Sequence, residues 1–169
     1  AMAMLGLSSA HADEAAPPAL VGRALPPAEL FDLEGRRLRT QDLREPVLVL
    51  NFFAFWCDTW IAELPQLREL SAEQADLGFR LLSISVDGKW TDQLHVVCGD
   101  DPPPWPVLID RGSRLSRKLG LRRIPTLLVL NRERGISAVF EAHPGNTALR
   151  QAIRAAGSAG ARPSGPHDG

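Results

Sequence analysis

Unbroken apolar runs alternate with segments of helical periodicity through the middle of the chain. The runs over residues 46–56 and 79–87 have the continuous hydrophobicity of strands that are covered on both faces. Residues 58–76 between them are predicted to form a helix, because apolar side chains recur there at spacings of three and four that align on one face: Trp60, Leu64, Leu67 and Leu70. Pro65 lies inside this segment and lacks a backbone donor, so we expect a bend there.

Shorter elements are predicted on both sides of this unit. The strands are a hairpin around Glu34-Gly35, a strand over 106–110 and a hairpin over 125–142 that turns at Arg134-Gly135. The helices cover 90–98, 112–121 and 146–157, with Ser113 as the predicted cap of the second and Gly157 as the end signal of the last. This order predicts an α/β fold with a mixed sheet and helices on both faces.

The two ends of the chain differ in character from the middle. Residues 1–15 contain an apolar piece, then Ala10-His11-Ala12, then acidic residues, which is the pattern around a signal-peptidase site. We therefore expect export and a mature chain that begins near Asp13; the alternative is an Ala-rich leader with no export role. Residues 157–169 lack periodicity and are expected to form a loose tail, which leaves one domain over 16–156.

Composition narrows the possible partners. The formal net charge of −1 argues against nucleic acid or an anionic membrane as an obligatory partner. No stretch reaches the roughly 18 apolar residues of a membrane span. His95 and His143 show no metal-ligand spacing with a cysteine, so we predict neither a metal nor a cofactor. The sequence leaves the oligomeric state open.

Cys57 is the residue most suited to chemistry. It stands where the first buried strand ends and the helix begins, at the edge where an open α/β sheet presents its functional groups. The unpaired N–H groups and positive end of the helix favour a thiolate there, whereas the adjacent Asp58 opposes it. A cysteine that only fills space in the core is the alternative, which the position at the end of the apolar run weakens.

Five segments in order resemble the TlpA/ResA type of extracytoplasmic thioredoxin-like proteins, which overlap with the AhpC/TSA-like redoxins. The segments are "VLVLNFFAFWC", "AELPQL", "LLSISVD", "PVLID" and "IPTLLVL". The resemblance covers roughly residues 20–156. It implies a thioredoxin-like fold with an added N-terminal β-hairpin, a periplasmic or otherwise extracytoplasmic location, and electron exchange with protein thiols or disulfides or a small-molecule thiol.

The same resemblance implies roles for individual residues. Cys57 matches the attacking cysteine, and Trp56 matches the aromatic residue before it. Pro125 matches a cis-proline that faces the active-site sulfur, and Ile124 before it would pair with the backbone of a substrate. Glu63 matches an acidic residue that handles protons near the cysteines, so we expect Cys57 and Glu63 to be the catalytic pair; the alternative for Glu63 is a solvated helix carboxylate.

Trp60 departs from the family pattern, because a second cysteine normally stands at this position and resolves the mixed disulfide. Without that cysteine, a mixed disulfide on Cys57 waits for an outside thiol. We expect the Trp60 indole to cover the sulfur or to contact a substrate. Cys98 is not a ready substitute, since its predicted helix carries it about 13 Å from the site and a disulfide needs Cα atoms within about 7 Å.

Three functions follow as hypotheses. The first is a redox protein that acts through the single thiol of Cys57 and is resolved by an external thiol. The second is a redox-silent binding module, in which Trp60 and the Pro125 loop form an apolar groove. The third is a peroxidase, which the sequence favours least because Ala54 stands where a peroxiredoxin would have a hydroxyl group to bind peroxide.

Overall fold

A computed structural model describes residues 19–88 and 92–159. Within these residues the strands are β1 Glu29–Phe31, β2 Arg37–Arg39, β3 Val47–Phe53, β4 Phe79–Ser85, β5 Val107–Ile109, β6 Thr126–Leu130 and β7 Ile136–Glu141. The α-helices are α1 Asp58–Ser71, α2 Gln74–Leu77, α3 Asp92–Cys98, α4 Arg114–Leu119 and α5 Asn146–Ser158. Short 3-10 turns cover Thr40–Asp42 and Arg111–Ser113.

The strands form one mixed sheet in the order β2-β1-β5-β4-β3-β6-β7. The central strand β3 runs parallel to β4 and antiparallel to β6. All seven residues of β3 are buried, as the unbroken apolar run predicts for a strand covered on both faces. The hairpin of β1 and β2 extends the sheet at one edge and confirms the predicted N-terminal addition.

Alternate residues of β3 enter two separate hydrophobic cores, because successive side chains of a strand point to opposite faces. One core joins Val47, Val49 and Phe53 to residues of α1 and α5. The other joins Leu48, Leu50 and Phe52 to residues of α4. The predicted face of α1 lies in the first core, and its members are all buried: Trp60, Leu64, Leu67 and Leu70.

The predicted helix signals at Ser113 and Gly157 are only partly correct. Ser113 stands at the N-cap position of α4, as predicted, but its side chain makes no capping hydrogen bond; its hydroxyl donates instead to the Val86 carbonyl at 2.7 Å. The cap is Asp110, whose buried carboxylate accepts the Leu115 and Ser116 N–H groups at 3.0 and 2.9 Å. Gly157 lies inside α5 rather than after it.

The predicted leader over residues 1–15 lies outside the described residues, as does most of the predicted tail over 157–169. Among residues 19–88 and 92–159, no helix combines the length and the apolar character that crossing a membrane requires.

Candidate active site

The turn between β3 and α1 holds Cys57 at the predicted junction. Cys57 is the residue before the first residue of α1 and has extended backbone angles, with φ −88° and ψ 102°. Its N–H donates to the Ala54 carbonyl at 3.0 Å, and its carbonyl accepts the Ile61 N–H at 3.2 Å. The backbone on both sides of the cysteine is therefore fixed by hydrogen bonds.

The thiol of Cys57 is free but largely enclosed. The residue is 8% exposed, and neither Cys57 nor Cys98 forms a disulfide. The Cys57 side chain makes no capping hydrogen bond with the amides of α1, which corrects the expectation that those amides contact the sulfur. The amide end of α1 lies beside the cysteine, but the sulfur does not engage it in this conformation.

Trp56 forms an exposed apolar surface next to the cysteine. The residue is 70% exposed, which is rare for the largest apolar side chain and contrasts with the buried run that precedes it. Phe52, Phe53 and Phe55 in that run are all buried. The predicted contact of Trp56 with a substrate has the necessary access.

The loop before β6 lies against the first turn of α1. The Ile124–Pro125 peptide bond is cis, as the resemblance implied. Thr59 of α1 lines the same shallow cavity of about 230 Å³ as Ile124 and Pro125. Ile124 also packs against the hydrophobic core that contains Cys57. The cis-proline loop therefore lies beside the first turn of α1, the helix that begins directly after Cys57.

Trp60 is in the core, on the apolar face that its spacing predicted, which corrects the expectation that its indole contacts a substrate. The residue is 0% exposed, and its ring stacks on Phe53 with the ring centroids 3.8 Å apart. Its indole N–H donates to Asn51 Oδ1 at 2.9 Å. Because the Trp60 ring packs on Phe53 and its N–H is bonded to Asn51, the side chain is not available to contact a substrate.

Asn51 connects Trp60 to a longer buried chain of hydrogen bonds. The Ser83 hydroxyl also donates to Asn51 Oδ1, at 3.1 Å, and the Trp105 indole N–H donates to Ser83 Oγ at 2.8 Å. All four residues are buried. These hydrogen bonds stabilise one arrangement of the core, because a displaced member would leave further buried donors without acceptors. Asn51 Nδ2 is itself buried with no partner among the described residues.

Glu63 is buried rather than solvated, so the alternative of a surface carboxylate is wrong. The residue is 7% exposed, and Oε1 accepts the His143 backbone N–H at 2.8 Å. Oε2 is buried with no partner among the described residues. Burial raises the pKa of Glu63 above its ordinary value, and the hydrogen bond from His143 opposes this only in part.

The turn between β7 and α5 supplies that hydrogen bond. Ala142 donates its N–H to the Pro125 carbonyl at 2.9 Å, and the next residue, His143, donates to Glu63. The His143 ring accepts the Gly145 N–H on Nδ1 at 3.0 Å, and burial lowers the pKa of His143. One turn therefore contacts both the cis-proline loop and the buried acid.

With this geometry established, the family can be assigned. The sequence signature of the AhpC/TSA family matches residues 21–139. The chain belongs to the AhpC/TSA family. This assignment covers the cysteine turn, the buried acid and the cis-proline loop in one continuous segment.

Individual members and folds give a more specific comparison. The thiol-disulfide oxidoreductase ResA of Bacillus thuringiensis is 25% identical over 113 residues, which cover 67% of this chain and 65% of ResA. The chain thus spans slightly less than two thirds of that relative.

Solved structures give a second comparison. A putative thiol:disulfide interchange protein DsbE from Chlorobium tepidum has 24% identity and a TM-score of 0.71, over 81% of this chain and 97% of its own. The exposed lipoprotein thioredoxin Etrx1 from Streptococcus pneumoniae has 24% identity and a TM-score of 0.66, over 77% of this chain and 99% of its own. Both show the thioredoxin-like fold.

Cys98 differs from Cys57 in this AhpC/TSA protein. It is the last residue of α3 and is partly buried. Burial raises the pKa of Cys98, and the charge of Arg68 offsets this only in part. A thiol with a raised pKa is a weaker nucleophile at neutral pH, because less thiolate is present.

Ser83, Trp105 and His143 are residues of the site region that sequence reasoning missed. Each donates a hydrogen bond to a residue distant in the chain: Ser83 to Asn51, Trp105 to Ser83, and His143 to Glu63. Ser83 did carry a signal, since a polar residue inside the apolar run of β4 requires a buried partner.

Proposed function

We propose that this protein is a thiol-disulfide oxidoreductase that acts through Cys57 alone and is resolved by an external thiol. The observation that carries this proposal is the free Cys57 immediately before α1, the helix whose first turn lines a cavity with cis-Pro125. Trp60 stands where a second thiol would be needed. The relationship to the oxidoreductase ResA supports the reaction class.

The reaction needs no group beyond thiols and disulfides. The Cys57 thiolate attacks one sulfur of a partner disulfide, so that the partner S–S bond breaks, a mixed disulfide forms and the second partner sulfur leaves and takes a proton. An external thiol then attacks Cys57 Sγ and releases the first partner sulfur as a thiol. A second external thiol frees Cys57 and forms the external disulfide. Two thiols thus supply the two electrons that reduce one partner disulfide.

Substrate contacts are assigned to exposed Trp56 and to the loop of half-buried Ile124 and buried Pro125. Trp56 offers a large apolar surface at 70% exposure. Ile124 and Pro125 line the shallow cavity beside the first turn of α1, where an extended partner segment could lie. Trp60 takes no part in binding in this proposal, since it is enclosed in the core.

Glu63 is assigned the role of a proton reservoir. It lies six residues beyond Cys57, which along a helix corresponds to about 9 Å. A proton therefore passes between the carboxyl group and the site through water rather than by direct contact. The raised pKa of Glu63 supports this role, because a carboxyl group that retains its proton to higher pH can donate it to a leaving thiolate.

The proposed setting is extracytoplasmic. The signal-peptidase pattern at residues 10–12 supports export. The similarity in fold to Etrx1, which is described as an exposed lipoprotein, agrees with such a setting. The proposed partners are protein disulfides and a protein or small-molecule thiol as reductant.

The test is the formation and lifetime of a mixed disulfide. A Cys98→Ser chain is incubated with oxidised glutathione and followed by intact mass, with a Cys57→Ser chain as the control. We expect one glutathione adduct per chain on Cys57, which persists after the excess is removed and disappears when a thiol is added. No adduct on the folded Cys98→Ser chain would overturn the proposal.

A redox-silent binding module is the second candidate, and the enclosure of Cys57 is the observation that favours it. At 8% exposure and without a capping hydrogen bond, the thiol is poorly presented to a large partner. In that case the adduct would form only on the unfolded chain, and Trp56 would still serve as a binding surface. The same mass measurement therefore separates the two candidates.

A further inference from the structure

A second concave surface lies between the N-terminal hairpin and α4, away from the cysteine. It is a cavity of about 300 Å³, and it shares no lining residue with the cavity at Pro125. One wall belongs to the hairpin of β1 and β2 at the edge of the sheet, and the other belongs to α4. The residues that define its chemistry are Glu29, Phe31, Arg39, Arg111, Arg114 and Lys118.

The lining of this cavity is strongly unbalanced in charge. Four cationic side chains line it, against the single carboxylate of Glu29. Glu29 is itself engaged by Arg37 at 3.0 Å, a residue that does not line the cavity. Arg39 pairs with Asp42 at 2.9 Å. Like charges gathered on one concave surface repel each other, and a bound anion would relieve that repulsion.

Two of the cations contact groups on the opposite wall of the cavity. The Arg111 guanidinium lies 3.7 Å from the centroid of the Phe31 ring. The Lys118 ammonium donates to the Pro27 carbonyl at 2.8 Å. A contact with an aromatic ring or a backbone carbonyl restricts the direction of a cationic side chain. These contacts orient the two cations in advance, which reduces the ordering that binding would require.

Asp110, which precedes the lining residue Arg111 in the chain, anchors the helix that forms one wall. Asp110 holds the start of α4 through the Leu115 and Ser116 N–H groups, and it also accepts the Ser116 hydroxyl at 2.9 Å. Its oxygens are occupied by these donors. The helix it anchors carries Arg114 and Lys118, which are four residues apart and so lie on the same face.

We infer that this cavity binds a small oxyanion of the phosphate class, either free phosphate or the phosphate of a small ester or lipid headgroup. Arginine side chains bind phosphate oxygens through paired N–H groups, and lysine adds a point charge. The volume exceeds that of a bare phosphate group, which leaves room for an attached organic part. The inference is independent of the proposed redox function, since it uses none of the residues around Cys57.

The test is isothermal titration calorimetry of the whole chain with sodium phosphate, against sodium chloride at the same ionic strength. We expect saturable phosphate binding with a Kd below about 1 mM. The double variant Arg114→Gln with Lys118→Gln should weaken it about tenfold or more, because each lost cation removes a charge-assisted hydrogen bond. The matched control is Arg117→Gln with Arg154→Gln, which removes the same charge from exposed sites outside the cavity and should leave binding unchanged.

A vesicle arm identifies the source of the phosphate. Phosphatidylcholine vesicles with and without phosphatidic acid are sedimented with the protein. Sedimentation that requires phosphatidic acid, and that free phosphate abolishes, assigns the site to a lipid headgroup. Phosphate binding without sedimentation assigns it to a free solute.

Should the double variant fail to fold, Arg39→Gln on the opposite wall replaces it. Heats that do not saturate, or equal weakening in both double variants, would show diffuse attraction and overturn the inference.

Discussion

Two tryptophans four residues apart, on either side of Cys57, have opposite environments. Trp56 is 70% exposed, whereas Trp60 is 0% exposed. The first extends from the turn before α1, and the second stacks on Phe53 and donates its indole N–H to Asn51. The position before Cys57 is thus kept open, and the position where a second cysteine would stand has become part of the core.

This difference shows how the missing thiol has been replaced. A cysteine side chain is small, and the indole at position 60 fills a much larger volume between β3 and α1. The indole of Trp60 belongs to a buried hydrogen-bond network that extends to Ser83 and Trp105. Position 60 therefore has a structural role of its own. It contributes to packing, and the chemistry that we propose depends on Cys57.

The largest expected effect comes from Trp60→Ala, with Trp56→Ala as its matched control. Removal of the buried ring should lower the free energy of unfolding by about 3–5 kcal/mol. It leaves a cavity, and Asn51 Oδ1 loses the hydrogen bond that the indole N–H donates. Denaturation by urea, followed by circular dichroism, measures this. Equal losses for the two variants would contradict the assigned environments.

Trp60→Cys in a Cys98→Ser background tests what the second thiol would add. We expect a stability loss comparable to that of Trp60→Ala in the reduced form, since the same cavity is left. The restored thiol should resolve the mixed disulfide internally and produce reduction of insulin disulfides with a dithiol reductant. A natural chain that turns over as fast as this variant would show that Trp60 does not limit the reaction.

Glu63→Gln is expected to have a smaller effect, confined to a window of pH. Because the folded-state pKa of Glu63 is raised, the neutral form is favoured in the folded state. Its stabilising contribution is complete below the ordinary pKa of glutamate and is lost as pH rises through the raised value. The wild-type chain should lose stability across that window, while Glu63→Gln, which keeps the acceptor for His143, should not. Parallel profiles from urea denaturation at each pH would contradict this.

Trp56→Ala should have the smallest effect on stability, within about 0.5 kcal/mol, because the side chain is exposed. Its effect should appear in partner contacts instead. We expect slower mixed-disulfide formation with a disulfide-bonded peptide, and an unchanged rate with oxidised glutathione, which is too small to need the indole surface. Rates by mass spectrometry compare the two. Equal slowing with both reagents would indicate that Trp56 acts on the thiol itself.

The sequence predicted those features that arise from local pattern. The continuous apolar run predicted β3 as a central strand, and the spacing of three and four placed Trp60 on the same face as Leu64 and Leu67. That spacing was the correct guide to Trp60, whereas the position of the family's second cysteine suggested the surface. Periodicity reports the direction of a side chain, and a family position reports only where the backbone lies.

The features that the sequence did not predict depend on partners that the local sequence rules do not identify. Glu63 is buried by a turn 80 residues later, through His143. The cap of α4 comes from Asp110 because a 3-10 turn brings it back over the helix, whereas the local rule selects Ser113. Neither Glu63 nor Asp110 has a neighbour in sequence that indicates its partner.

The most direct test of the central claim is native-state alkylation of the two cysteines. The folded chain is treated with iodoacetamide, and the labelling of Cys57 and Cys98 is followed by peptide mass spectrometry, with the urea-unfolded chain as the reference. Our account predicts that Cys57 is labelled first, faster than Cys98 and without unfolding. Labelling of Cys57 only when the chain unfolds would contradict a redox role. The redox-silent binding module would then be the function that agrees with the result.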